Sequence, residues 1–150
     1  MTILSRKVTN IDNEIFAVGD IIWYVNDEIT NPDLHPHVVV AIDENLLYTV
    51  CGTSQQATIE RKARNLKLPD YSLFPVISPT DENTLKKETF FDCYYPFEIR
   101  PSTLMYKISG GGVVRVGGKI NYSEYEQIRS ALKKNKTVDF KDLLIHTKDN

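Results

Sequence analysis

Three groups of side chains in this sequence carry chemistry worth testing: histidines and a carboxylate at strand spacing, a run of cations, and a cluster of aromatic rings. Asp33, His35 and His37 alternate, and alternate residues of a strand share a face. Two imidazoles and a carboxylate are zinc-type donors. The third histidine, His146, lies in the C-terminal tail, so no closed ligand set forms and neither metal nor cofactor is expected. His37 is expected to open a buried strand with its ring hydrogen-bonded. His35 is the candidate for acid or base work, because an imidazole exchanges a proton near neutral pH.

The cations sit in Arg61-Lys62-Ala63-Arg64-Asn65-Leu66-Lys67, with Glu60 adjoining. Such a run is either a solvated loop or helix face, or a patch that meets phosphate. The rings are Phe90, Phe91, Tyr94, Tyr95 and Phe97, which either fill a core or stack unpaired bases. Cys51 and Cys93 each lie in an apolar run and read as buried free thiols. Gly110-Gly111-Gly112 lacks the lysine and hydroxyl pattern of a phosphate loop and reads as a turn.

These residues need a scaffold, and the chain is long enough for one domain, 1–150. A net charge of −2 gives no overall field for nucleic acid, so any such site must be local. No segment approaches the roughly 18 apolar residues of a membrane span, and the first residues, Met1 to Lys7, lack a signal peptide's apolar core. A cytoplasmic protein with no membrane partner is therefore expected.

Gly19-Asp20 is a turn signal before the β-branched and aromatic run Ile21–Val25. His37–Ile42 and Leu46–Cys51 read as a hairpin across Asp43-Glu44-Asn45. Residues 56–88 read as a long polar loop, with Val76-Ile77 at most an edge strand between prolines. Thr89–Tyr95 reads as a strand continuing through Phe97–Ile99, and Leu104–Ile108 and Val113–Val116 as shorter ones. Ser123-Glu124-Tyr125-Glu126 has capping-box form and opens a helix with Tyr125, Ile128, Ala131 and Leu132 on one face. A short helix follows from Asp139 and docks through Phe140, Leu143 and Leu144. The class is α+β, mainly β: a small bent sheet or barrel closed by a C-terminal helix.

Three stretches occur in an informative order: Gly19-Asp20-Ile21-Ile22-Trp23, His35-Pro36-His37-Val38-Val39-Val40 and Cys51-Gly52-Thr53-Ser54-Gln55. With Gly118 to Ile128 near the end, the chain resembles the MazF/PemK (Kid-like) toxin family. The resemblance covers both ends well and the middle poorly. It implies an SH3-like barrel, to which residues 56–88 would add a long inserted loop beyond the family's compact members, together with a homodimer, an antitoxin partner and metal-independent cleavage of single-stranded RNA. It also implies that Thr53 is catalytic, with Ser54 and Gln55 following as in several members and able to hold a phosphate, and that Asp92 is the counterpart of the family's acidic residue; the cations Arg61, Lys62 and Arg64 are then expected to meet RNA or antitoxin from the loop. The family's arginine before proline is replaced by His35, which cannot reproduce a guanidinium fork. Three readings stay open at this point: a histidine-based nuclease, a nuclease whose cation comes from elsewhere, and a non-catalytic barrel that binds a protein or nucleic-acid partner.

Overall fold

A computed structural model describes residues 10–11, 14–29 and 33–144. Pro32, His146 and the stretch from Met1 to Lys7 lie outside the described residues. In chain order the elements are β1 (Asn10–Ile11), β2 (Glu14–Ile15), β3 (Asp20–Tyr24), β4 (His35–Asp43), β5 (Leu46–Thr53), α1 (Gln56–Asn65) and β6 (Val76–Ile77). They continue with β7 (Thr89–Ile99), α2 (Pro101–Ser109), β8 (Val114–Lys119), α3 (Tyr122–Lys134) and a 3₁₀ turn, Lys141–Leu143.

β1 and β2 form a small ribbon, and the other six strands form one antiparallel sheet in the order β6-β7-β5-β4-β3-β8. The pairings β3–β8, β4–β5 and β5–β7 each carry a register shift. Each such bulge bends its strand and increases the local twist, and the sheet curls into a half-barrel. Pro96 falls within the β5–β7 shift, between the Thr49↔Phe97 and Cys51↔Asp92 pairs. A proline is tolerated inside a strand at such a place because its missing N–H is not needed for the ladder. β7 therefore runs unbroken through Pro96, as its composition suggests.

β4 and β5 join through the two-residue turn Glu44-Asn45, with Glu44 at φ 52°. Val38–Ile42 of β4 are buried on both faces, hence the unbroken apolar run. α3 lies across the sheet: Tyr125, Ile128, Ala131 and Leu132 are buried, as their spacing predicts, and the Tyr125 hydroxyl donates to the Val40 carbonyl at 2.8 Å. Phe140 and Leu144 are buried as expected, although the backbone there makes only a 3₁₀ turn.

Two elements correct the sequence reading. The long inserted loop over 56–88 is in its first ten residues the helix α1. Only Ile59 and Ala63 of α1 are buried, packing with Phe74 in a small second core, so its apolar periodicity is two residues deep. Leu104–Ile108 belongs to α2, started by Pro101 in the first turn, where its fixed φ suits a helix. The α3 cap also differs: Asn121 accepts from Glu124 N at 2.8 Å and Glu124 reaches back to Asn121 N at 2.9 Å.

Candidate functional site

The start of β4, the end of β5, α1 and the middle of β7 enclose a cavity of about 720 Å³. His35, Thr53, Gln55, Arg61, Lys62 and Asp92 all reach it. The register explains the convergence. His37 pairs with Cys51 and Cys51 with Asp92, so the beginning of β4, the end of β5 and the first half of β7 lie side by side. Gly52 tightens this corner: a Cβ there would stand 2.6 Å from Thr89 Cγ2 and 2.7 Å from Phe91 Cε1. Ser54 and Arg64 are exposed and do not line the cavity.

The two strand histidines are used differently. His37 is fully buried, its ring stacked on Tyr24 with centroids 4.0 Å apart. Its Nδ1 lies 2.9 Å from the His35 carbonyl, which can only accept, so Nδ1 carries the proton and Nε2 accepts from Asn26 Nδ2 at 3.2 Å. Burial lowers its pKa from 6.5 to about 4, which keeps the ring neutral. The same Asn26 accepts from Glu28 N through Oδ1 at 2.9 Å. His37 thus fixes a turn that carries Glu28 and Ile29 to the cavity wall.

His35 Nδ1 lies 3.2 Å from the Gly52 carbonyl, and the same logic puts the proton on Nδ1. Nε2 is then a lone pair, and it is buried without a hydrogen-bond partner. An unsatisfied polar atom of this kind costs about 1–3 kcal/mol, which a ligand donor would recover.

Thr53 ends β5, and its Oγ1 accepts from Gln55 N at 3.2 Å. That bond leaves the hydroxyl proton available to donate. α1 begins at once, with Gln55 as an N-cap that makes no side-chain bond. Ile59 and Ala63 hold the helix down, and Arg61 and Lys62, between them in sequence, reach the cavity. Lys62 Nζ makes a 2.6 Å ion pair with Asp92 Oδ2. Asp92 Oδ1 accepts from Tyr94 N at 2.9 Å and Tyr95 N at 3.1 Å. With only 9% of its side chain exposed, Asp92 is a fixed anion that aims Lys62, and its oxygens are already occupied.

Cys51 also lines the cavity, but burial, followed by the charge of Asp92, pushes its thiol up to about 12. A thiol held protonated is no nucleophile. Both cysteines are free and buried. Among the described residues no group of three His, Cys, Asp or Glu side chains is placed to hold a metal ion. The Lys62–Asp92 pair and the Glu28 wall escape sequence reasoning: partners 30 positions apart meet only once α1 is known to be a helix. The β4–β5 hairpin read across Asp43-Glu44-Asn45, by contrast, suffices to bring His35 near Thr53.

No protein-family model matches the chain, and no curated protein matches it. Among the described residues no helix is long and apolar enough to cross a membrane.

Proposed function

We propose that this protein is a metal-independent endoribonuclease of MazF/PemK type, cleaving single-stranded RNA in the cavity between β4, β5, β7 and α1. The observation that carries the reading is the convergence of His35, Thr53 and the Lys62–Asp92 pair on one concave surface. An unprotonated imidazole nitrogen, a hydroxyl donor and an ammonium are what transesterification at a phosphodiester requires without a metal. His35 Nε2 takes the proton of a ribose 2′-hydroxyl, and O2′ bonds to phosphorus. The bond from phosphorus to O5′ breaks, and O5′ takes a proton from solvent. The products are a 2′,3′-cyclic phosphate and a 5′-hydroxyl. Lys62 and Arg61 offset the charge that builds on the phosphoryl oxygens, and Thr53 donates to one of them. Because Nε2 is covered in the free protein, its ring turns, or the Glu28–Ile29 wall shifts, when RNA enters.

The covered Nε2 and the Thr53 bond to Gln55 N favour one rival, a non-catalytic barrel that binds a protein or nucleic acid through the same cavity. Incubation with mixed-sequence single-stranded RNA in EDTA separates the two. The nuclease reading expects cleavage, lowered on the order of a hundredfold or more in His35→Ala. RNA that is retained but left whole supports the rival. The proposal extends to a homodimer and an antitoxin partner, which sizing of the free protein and of its complexes would reveal.

A further inference from the structure

A second cavity, of about 420 Å³, adjoins the first and shares Glu28, Tyr94, Tyr95 and Phe97 with it. Its far wall comes from the segment after α3. Asn135 Nδ2 donates to the Cys93 carbonyl at 3.0 Å and the Tyr94 carbonyl at 2.8 Å, tying that segment to β7. Phe140 then stacks on Tyr48, with ring centroids 4.4 Å apart, and Asp139 arrives at the rim. Tyr95 is 57% exposed, and its ring meets Phe97 at a 45° tilt with centroids 5.2 Å apart, so more than half of the residue stays open to a partner.

The two cavities differ in charge. The first is lined by Arg61 and Lys62 as well as by Glu28 and Asp92, so its formal charges balance, whereas the second is lined by Glu28, Glu98 and Asp139 with no lysine or arginine. Burial, followed by the carboxylates of Glu98, Asp43 and Asp139, raises the Tyr48 hydroxyl above its ordinary pKa, as a negative local field requires. Phosphate is therefore repelled from the second cavity, and only the first offers it cations, Arg61 and Lys62. What the second cavity suits is a flat ring with hydrogen-bond donors on its edge. Tyr95 stands three residues past Asp92, at most about 10 Å along the strand, so both cavities fall within reach of one nucleotide and its neighbour.

Resting on the RNA reading above, we infer that the second cavity receives a nucleobase next to the bound phosphate. Tyr95 stacks on the base, and Glu98 and Asp139 select bases that carry an exocyclic amino group. A carboxylate accepts from the amino group of cytosine, adenine or guanine. Uracil presents two carbonyl oxygens around a single N–H, and the same carboxylates repel them.

The test uses single-stranded oligonucleotides with 2′-deoxyribose throughout, which 2′-hydroxyl attack cannot cleave. Fluorescence anisotropy of labelled oligo-dC, oligo-dA and oligo-dU is measured with the wild type, Tyr95→Ala and the double variant Glu98→Gln/Asp139→Asn. The wild type is expected to bind oligo-dC and oligo-dA about tenfold more tightly than oligo-dU. Tyr95→Ala weakens all three about tenfold, and the double variant brings the three within about twofold of one another. Equal binding of dC and dU by the wild type, or a preference that survives in the double variant, overturns the inference and leaves the nuclease reading intact. Loss of RNA cleavage with the preference intact overturns only the nuclease reading, and failure to bind any oligonucleotide overturns both. A tetra-arginine peptide that quenches tyrosine fluorescence where oligonucleotides do not assigns the cavity to a basic protein segment and also overturns the inference.

Discussion

His35 and His37 stand two residues apart on β4, and their surroundings set opposite roles. His35 keeps a lone pair without a partner beside a cavity, whereas His37 has both nitrogens bonded and its ring sandwiched in the core. The burial of His37 has a consequence for stability. Above pH 6.5 both folded and unfolded chains hold this ring neutral, and its contribution is fully present. As pH falls from 6.5 towards about 4, the unfolded chain takes up a proton that the folded chain refuses, and stability is lost. The shift corresponds to about 3 kcal/mol across that window. Urea unfolding at pH 7, 6 and 5 should show this slope. His37→Phe keeps the stack on Tyr24 but cannot titrate, so it should be less stable at pH 7 and flatter below it. An unchanged slope in that variant would show that other groups carry the acid sensitivity.

At the scale of elements, α1 matters most, because it brings Lys62 over Asp92 while being anchored by little more than Ile59 and Ala63. Ile59→Ala should cost about 2–4 kcal/mol of local rather than global stability. Hydrogen exchange should then quicken in α1 and leave β4 unchanged, and RNA cleavage should fall with it. Quickening of both elements together would mean that α1 and the sheet open as one unit. The same shallow anchoring explains why α1 was hard to read: with two buried positions in ten residues, charge dominates the pattern. α2 misleads for the opposite reason, since Met105, Tyr106 and Ile108 look strand-like and yet lie exposed on a helix that buries only Pro101 and Leu104. β3, β4, β5 and α3 were legible because their apolar spacing matches their burial. At the start of α3 the Asn121–Glu124 pair caps the helix in place of Ser123–Glu126, and Glu124 also accepts from Asn83 Nδ2 at 3.1 Å.

For the whole molecule, a net charge of −2 conceals a division into a cavity of mixed charge that holds Arg61 and Lys62 and an acidic, aromatic one, both lined by residues of β7. Composition alone could not reveal that division, because it arises when α1 and the segment after α3 are both folded onto β7, at Asp92 and at Cys93 and Tyr94. Under the proposed reading the arrangement would give RNA a direction, with phosphate on the α1 side and a base on the Tyr95 side. The most direct measurement of the central claim is the chemistry of the ends left on a short single-stranded RNA cut in EDTA, read by mass spectrometry. A 2′,3′-cyclic phosphate and a 5′-hydroxyl, with no cut at a nucleotide lacking its 2′-hydroxyl, are predicted. A 3′-hydroxyl with a 5′-phosphate, or an RNA that emerges at its original mass, would contradict the account.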